Sequence, residues 1–334
     1  MFRISFFVIC CCFALNASSQ SVHLLTSGNK TSLRGLSVVN DKVLWVSGSN
    51  GSVGRSVDGG TTWQWHTVKG FEKRDFRDIE AFDDKTAIII AIAEPGQILK
   101  TTDGGTSWKI VYTDSTKDMF LDAMDFSDAK NGIAIGDPLD KECIYVVTTT
   151  DGGETWSKQD CNKLPAVQEG EAMFASSGTN VVYVNKKKIN IITGGMASSL
   201  LTVDKDSAQP LPIIQGKEST GANSLAIFAP NNMIVTGGDF AHDKDTTQNC
   251  VLSHDGGATW VRPATPPHGY RSCVEYITAN HVITCGTSGV DISTDGGMNW
   301  KQIAQEGFHV CQKAKKGTAV YLAGGNGKIA KLVW

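Results

Sequence analysis

Three arginines and one histidine occupy matching places at the starts of short apolar segments: Arg34, Arg77, Arg271 and His309. The whole chain contains only seven arginines, so three at equivalent positions are a large share. A guanidinium group binds planar carboxylates and phosphates well, because its N–H donors match two oxygens at once. If the fold brings these side chains together, they form an anion-binding site.

Acidic residues occur in segments that we expect near these arginines. Those predicted as further ligand-binding residues are Asp78, Asp137, Glu171 and Asp239. Acids that face arginines across a pocket suit general acid–base chemistry. Internal ion pairs with the arginines and solvated polar loops are the alternatives. Residues 239–245 also carry oxygen ligands of the kind calcium prefers, but no zinc-type spacing occurs and we predict no metal site.

The elements that position these residues are marked by a phrase repeated five times, Ser/Thr-x-Asp-Gly-Gly-x-x-Trp. Its copies occupy residues 56–63, 101–108, 149–156, 253–260 and 293–300. Each copy lies between two short apolar runs, which predicts a hairpin whose glycines adopt positive φ and whose aspartate accepts turn N–H groups. The five aspartates are therefore predicted to be structural: Asp58, Asp103, Asp151, Asp255 and Asp295.

A phrase that returns every 40 to 50 residues or so indicates a repeat architecture. Each unit contains four short strands, the pattern of a β-propeller blade. First strands are predicted to begin near Leu33, Phe76, Phe120, Glu171, Ala222, Tyr270 and Phe308. The seventh unit lacks a fourth strand, which residues 21–25 can supply, closing the ring and removing exposed sheet edges. We predict an all-β, seven-bladed propeller over residues 20–334, with a decayed phrase at residues 202–206.

The repeated phrase resembles the Asp-box, or bacterial neuraminidase repeat, of sialidases, xyloglucan hydrolases, sortilin-type receptors and photosystem II assembly-factor propellers. In those families the box is a structural hairpin shared by unrelated activities. Residues 76–82 and 98–105 are most similar to the photosystem II stability and assembly-factor propellers and to their exported bacterial relatives outside photosynthesis, which are often labelled oxidoreductases. This resemblance covers the mature chain and implies seven blades and protein partners.

A sialidase-like glycoside hydrolase is the alternative within the same repeat class. That resemblance implies an arginine triad, which Arg34, Arg77 and Arg271 would form, with loop acids as catalytic groups. Motifs for nucleotide or redox cofactors do not occur, so we expect no cofactor, and an enzyme here would be a hydrolase rather than an oxidoreductase. The main expectation is a binding module that takes an anionic protein or an acidic glycan at the mouth of the channel.

Residues 1–19 are predicted to be a secretory signal peptide. Arg3 precedes a short apolar run, and small residues precede Gln20, as export signals require. This predicts an exported protein, periplasmic or extracellular. The mature chain has no apolar stretch long enough to span a bilayer, and a net charge of −3 argues against a nucleic-acid partner. We expect a monomer.

Six cysteines follow the signal peptide, so disulfides are expected in an exported chain. Cys143 and Cys161 flank one box turn, and Cys273 and Cys285 flank a second probable turn. Each pair is a candidate cross-strand disulfide. Buried free thiols are the alternative, and the other two cysteines have no assigned partner.

Overall fold

The computed structural model describes residues 20–139, 143–203 and 207–334, which form the seven blades of a β-propeller. Blade 1 comprises Leu33–Val38, Leu44–Gly48, Ser52–Ser56 and Gln64–Thr67. Blade 2 comprises Phe76–Ala81, Ala87–Ala91, Gly96–Thr101 and Lys109–Asp114. Blade 3 comprises Leu121–Phe126, Gly132–Gly136, Tyr145–Thr149 and Ser157–Lys158. The predicted signal peptide, and the end of the decayed phrase at residues 202–206, lie outside the described residues.

The remaining blades follow in chain order. Blade 4 comprises Val181–Tyr183, Ile189–Ile192, Ser199–Thr202 and Ser207–Pro210. Blade 5 comprises Thr220–Phe228, Asn232–Asp239 and Cys250–Ser253, with Val261 bridged to Leu252 at the outer edge. Blade 6 comprises Cys273–Tyr276, Val282–Gly286, Gly289–Ser293 and Lys301–Ala304. Blade 7 comprises Val310–Lys313, Val320–Ala323, Ile329–Val333 and Ser21–Thr26.

The described helices are two single 3₁₀ turns, Cys161–Lys163 and Gly325–Gly327. Within the described ranges, a helix of the length and apolarity needed to cross a membrane is not found. The all-β, seven-bladed prediction is confirmed.

The ring closes through the N-terminal strand, as predicted. Ser21 lies opposite Val333 and Leu24 lies opposite Ala330 in an antiparallel pairing. Leu25 packs against the apolar core of blade 7. The first and last described strands therefore share one sheet, and closure pairs the outer edge of Ile329–Val333, which a linear array would leave exposed.

Apolar side chains fill the spaces between neighbouring sheets. Between blades 1 and 2, Trp45, Phe76 and Ile89 are fully buried in one cluster. The box tryptophan Trp108 packs against the same cluster. Burying a large apolar side chain contributes about 1.5–3 kcal/mol, so these clusters make the ring a rigid support for the segments that face its channel.

Each Asp-box carboxylate bonds within its own hairpin. Asp58 Oδ1 accepts hydrogen bonds from Ser56 Oγ at 2.8 Å and from the Thr62 amide at 2.9 Å, and Oδ2 accepts from Thr62 Oγ1 at 2.6 Å. These donors favour the ionised form and lower the pKa of Asp58 to about 2. The same pattern of contacts recurs at Asp103, Asp151, Asp255 and Asp295.

Blade 4 departs from the predicted continuous first strand beginning at Glu171. Glu171–Ala172 pairs with Gly194–Gly195, but residues 173–180 then leave the sheet, and pairing resumes only at Val181–Tyr183. We call residues 173–180 the channel segment.

The channel segment lies inside the central channel of the ring. Its polar atoms form hydrogen bonds with residues of other blades. The Ser177 hydroxyl donates to the Ser272 carbonyl of blade 6 at 2.7 Å, and the Thr179 and Ser224 hydroxyls lie 2.7 Å apart. The segment lines one cavity on each of its sides. It therefore divides the channel into two compartments.

Candidate functional site

The first strands begin on the face opposite the Asp-box hairpins, because strand direction alternates within each antiparallel blade. On that face the channel opens into a cavity of about 430 Å³, which we call the channel-mouth cavity. Its ionisable lining residues are Arg34, Arg77, Asp122, Asp137 and His309, besides a tyrosine. Its aromatic lining residues are Phe120, Phe174, Phe240 and Tyr270.

Half of the eight predicted ligand-binding residues line this cavity. They are Arg34, Arg77, Asp137 and His309. In the described structure the other four are positioned elsewhere, as set out below: Asp78, Glu171, Asp239 and Arg271.

β-Bulges explain why side chains converge on the channel. In blades 1, 2 and 3, the register between the first two strands shifts at Arg34, Arg77 and Asp122. A bulge leaves one residue without a cross-strand partner and re-aims its side chain. All three side chains line the channel-mouth cavity, so the repeated bulge is the backbone feature that presents them.

The two mouth arginines keep most of their hydrogen-bonding capacity unused. Among the described residues, Arg34 makes one long hydrogen bond, from Nη1 to the Ser176 carbonyl at 3.4 Å. Arg77 lies over the Phe120 ring at 5.9 Å and 3.7 Å from Asp75, while its buried Nε has no partner among the described residues. Burial lowers the pKa of Arg34, and the nearby charge of Arg77 lowers it further.

Two carboxyl groups line the same cavity as these arginines. Burial raises the pKa of Asp137 to about 6, against the hydrogen bond of 2.9 Å that its Oδ1 accepts from the Met173 amide. Asp122 is fully buried, and burial together with the charge of Asp137 raises its pKa well above the usual range. Neither oxygen of Asp122 makes a well-formed hydrogen bond to a described residue. A carboxyl group kept neutral can donate a hydrogen bond to an anion.

His309 lines the mouth but is not a cation there at neutral pH. Burial, with the charges of Arg34, Lys328 and Arg77, lowers its pKa to about 3. Its Nε2 lies 3.3 Å from the Ser32 hydroxyl. Its position in the sequence, equivalent to that of the arginines, suggested a fourth cationic group. In the folded protein it is a neutral hydrogen-bonding group.

Arg271 is excluded from the mouth by one residue of register. The glycine that ends the second strand lies against Leu121 Cα in blade 3 and against Arg271 Cα in blade 6. Arg271 therefore matches Leu121, and Ser272 matches the channel-facing Asp122. Successive side chains of a strand point in opposite directions, so the prediction that Arg271 joins Arg34 and Arg77 is wrong.

Arg271 instead forms a buried ion pair inside blade 6. Arg271 and Asp291 are both fully buried, with Nε 2.6 Å from Oδ2. Its remaining N–H groups donate to the carbonyls of Tyr270 and His268 at 2.8 and 2.9 Å. Its donors are used within the protein, in contrast to those of the mouth arginines.

Asp78 lies in the second compartment of the channel. It lines a cavity of about 200 Å³ on the other side of the channel segment. Its carboxylate accepts hydrogen bonds from the amides of Ile79 and Met124 at 2.7 and 2.8 Å. Because Asp78 comes one residue after the bulge at Arg77, its side chain points away from the mouth.

The other two predicted acids stabilise local backbone. Glu171 is buried and accepts a hydrogen bond from the Gln168 amide at 2.8 Å. Asp239 is buried and is hydrogen-bonded to the Ala241 amide and to His242 Nδ1, both at 2.9 Å. In the described ranges, groups of three or more His, Cys, Asp or Glu that could hold a metal ion are not found.

Sequence reasoning missed Asp122 and the aromatic residues of the cavity. Asp122 follows the start of a first strand as Arg34 and Arg77 do, so aligning the units on that position would have revealed it. Phe240 belongs to the acidic loop at residues 239–245, whose sequence suggested a cation site and gave no sign of an aromatic contact. No pattern in the sequence marks Phe174, because the channel segment breaks the blade period there.

The six cysteines within the described ranges divide into one bonded pair and four free thiols. Cys143 and Cys161 form a disulfide, with Cα atoms 5.7 Å apart. Cys273 and Cys285 face each other across neighbouring strands but are free and buried, so the second predicted disulfide is not formed. Both lie in the apolar core around blade 7.

A known family model matches about the N-terminal third of the chain. Residues 16–117 match the family model described as photosynthesis system II assembly factor YCF48, and residues 147–158 match the BNR/Asp-box repeat. A curated relative, the photosystem II assembly lipoprotein Ycf48 of Picosynechococcus sp., is 25% identical over 228 residues. That match spans 65% of this chain but only 58% of the relative's length.

Solved structures extend the similarity to the whole ring at the level of fold. A structure titled YCF48 bound to D1 peptide has a TM-score of 0.64 at 17% identity, covering 96% of this chain and 97% of that one. YCF48 from Cyanidioschyzon merolae has a TM-score of 0.61 at 15% identity, over 93% and 98% of the two chains. The WD40 domain of Neurospora crassa Pan2 reaches 0.63 at 12% identity, over 90% and 89%. Sequence and fold together identify the chain as an Asp-box β-propeller that resembles the photosystem II assembly-factor propellers.

Proposed function

We propose that this protein is an exported binding module whose channel mouth takes a carboxylate-bearing segment of a protein partner. One observation carries the proposal. Arg34 and Arg77 face the same cavity with donors that described residues leave unused. Hydrogen bonds to charged groups contribute about 1.5–3 kcal/mol each. A carboxylate can form such bonds with the two arginines, and few hydrogen bonds within the free protein have to break for it to bind.

The comparisons support a protein as the partner. A structure of similar fold carries a D1 peptide, and the curated relative is named an assembly lipoprotein. A lipoprotein is an exported protein, which agrees with the export signal predicted at residues 1–19. The partner of this chain is defined here by its chemistry, an acidic protein segment.

The glycoside-hydrolase alternative loses its main support. It requires three arginines on one carboxylate, and Arg271 is committed to Asp291 inside blade 6. Acidic glycans remain an outcome that the experiment can reveal.

A random peptide library displayed on phage tests the proposal without presupposing a ligand. The library is selected on the immobilised mature protein and, in parallel, on an Arg34→Ala/Arg77→Ala variant. We expect wild-type protein to enrich peptides that carry aspartate or glutamate, and the double variant to lose that enrichment. Arg262→Ala is the matched control, because Arg262 is an exposed arginine outside the cavity lining.

Enrichment of peptides without acidic residues would overturn the proposal, as would an unchanged selection on the double variant. A glycan array and a hydrolysis screen run on the same proteins separate the alternatives. Retention of an acidic glycan that depends on Arg34 and Arg77 would replace the protein partner with a sugar. Release of product would show an enzyme.

A further inference from the structure

The channel-mouth cavity has two sides of different chemistry. Blades 7, 1, 2 and 3 contribute its charged and ionisable groups, beginning with Arg34 and Arg77. The channel segment and the blades beyond it contribute Phe174, Phe240 and Tyr270. Electrostatic and apolar recognition are therefore available within one opening.

The aromatic side is a cluster of three rings in edge-to-face contact. Phe174 and Phe240 meet edge to face, with ring centroids 5.7 Å apart at 87°. Phe240 and Tyr270 meet at 6.3 Å and 77°. Tyr270 is buried and donates its hydroxyl to Asn223 Oδ1 at 2.8 Å. The buried Tyr270 therefore fixes one end of the cluster, and Phe240 remains accessible to solvent.

Phe240 is nearly half exposed, at 48%, although it comes from a well-fixed loop. Its amide donates to the Ser219 carbonyl at 3.0 Å, and the next amide, that of Ala241, donates to Asp239 Oδ1 at 2.9 Å. A large ring held in place and left in water is characteristic of a binding anchor, because little conformational entropy is lost when a partner covers it.

The charged side contains a further buried carboxyl group, whose hydrogen bonds to the protein are weak. Asp122 is fully buried, lines the cavity, and has both carboxyl oxygens without a well-formed hydrogen bond to a described residue. A buried polar group without a partner is costly. A ligand that brings a carboxylate or a backbone N–H group beside Asp122 would give this carboxyl group a stronger hydrogen bond.

From this juxtaposition we propose that the channel mouth selects a short protein segment in which an acidic residue lies next to, or one residue away from, an aromatic residue. The carboxylate of the ligand binds Arg34 and Arg77, and its aromatic side chain packs on Phe240 and the two rings that contact it. This inference rests on the proposed function and adds the second half of the recognised motif. A volume of about 430 Å³ lies within the roughly 300–1,000 Å³ common for ligand sites.

The experiment uses defined peptides titrated into the mature protein by calorimetry at up to millimolar concentration. The parent peptides are blocked glycine-rich heptamers that contain one glutamate and one phenylalanine, either adjacent or separated by one glycine. Two derivatives replace glutamate by glutamine or phenylalanine by alanine. We expect at least one parent to bind, with loss of the glutamate weakening binding by about 10- to 100-fold and loss of the phenylalanine by about two- to tenfold.

Protein variants assign each half of the motif to its side of the cavity. Phe240→Ala should remove the difference between the phenylalanine and alanine peptides while keeping the preference for glutamate. Arg77→Ala should do the reverse. Phe228→Ala is the matched control, since Phe228 is also a partly exposed ring, 38% exposed, but packs on Tyr276 outside the cavity lining.

The outcomes distinguish this inference from the proposed function. A glutamate preference that depends on Arg77, without any effect of phenylalanine or of Phe240, overturns the acidic–aromatic motif and leaves the carboxylate site standing. A glutamate preference that survives Arg34→Ala/Arg77→Ala overturns the proposed function itself. Absence of binding by both parent peptides overturns the motif.

Discussion

Arg34 and Arg77 occupy equivalent bulge positions on neighbouring blades, and the charge of Arg77 lowers the pKa of Arg34. Two like charges therefore face one cavity, and the carboxylate of Asp75 lies 3.7 Å from Arg77 Nη2. Like charges at a partly buried site raise the free energy of the folded protein. An anion that binds between them removes that cost and stabilises the fold.

The two kinds of arginine should respond oppositely to removal of charge. Arg77→Met relieves repulsion at the mouth, so the melting temperature of ligand-free protein should stay the same or rise. Arg271→Met leaves the buried Asp291 with only His268 as a partner among the described residues, and breaking a buried ion pair costs about 3–5 kcal/mol. Differential scanning calorimetry of both variants checks this. Equal destabilisation by the two substitutions would contradict the distinction between a ligand-binding and a structural arginine.

Binding of a carboxylate at the mouth should weaken as pH rises through about 6. Burial raises the pKa of Asp137 to about 6, so this group is mostly neutral at pH 5 and mostly ionised at pH 7. A ligand carboxylate is ionised at both values and is repelled only at the higher one.

Asp122 is the other carboxyl group of the mouth, and burial also raises its pKa, so the comparison with Asp137→Asn decides which of the two causes the change. His309, with a pKa of about 3, stays neutral over this range. Calorimetric titration of an acidic peptide from pH 5 to 7 measures the trend. The Asp137→Asn variant should bind with nearly constant affinity over that range, and an unaltered slope in this variant would refute the assignment to Asp137.

The channel segment should tolerate no side chain at Gly178. This residue has φ of +70°, and an added Cβ would lie 2.3 Å from a carboxyl atom of Asp78. Gly178→Ala combines left-handed backbone strain with overpacking, and each effect costs about 1–3 kcal/mol. Gly70→Ala isolates the first effect, because Gly70 has φ of +84° with nothing within 4 Å of an added Cβ. Comparable chemical-denaturation midpoints for the two variants would contradict the steric argument.

The cysteine arrangement predicts the outcome of thiol counting. Denatured, unreduced mature protein should be alkylated at four cysteines, and at the remaining pair only after reduction. Closing a loop with a sequence separation of 18 stabilises by about 3 kcal/mol in the chain-entropy model, so Cys143→Ser/Cys161→Ser should lower the melting temperature. Peptide mass spectrometry identifies the bonded pair. Protection of Cys273 and Cys285 from alkylation before reduction would show that the second predicted disulfide forms after all.

The architecture could be predicted because its determinants are local. The Asp-box needs only neighbouring residues, such as Ser56 and Thr62 around Asp58, to fix its hairpin. Strand count per unit followed from the spacing of the boxes. The missing fourth strand of the last unit then required a partner, and Ser21–Thr26 was the strand left over.

The site could be predicted only in part, because its membership depends on register. Arg34, Arg77 and Arg271 have similar surroundings in the sequence, yet only two of them occupy the bulge position that faces the channel. A shift of one residue turns a side chain to the opposite side of a strand. Nothing within the segment around Arg271 reveals that Ser272 is the channel-facing residue.

A closed ring of seven blades, and the face on which its first strands begin, follow from the amino-acid sequence, because hairpin chemistry and strand alternation repeat along the chain. The contents of the channel depend on tertiary packing. It brought Asp122 and Arg77 to one cavity, placed the channel segment inside the ring, and packed Phe240 edge to face against Tyr270 from a separate loop. These are contacts between residues far apart in the chain, set by packing around the ring rather than by any local pattern.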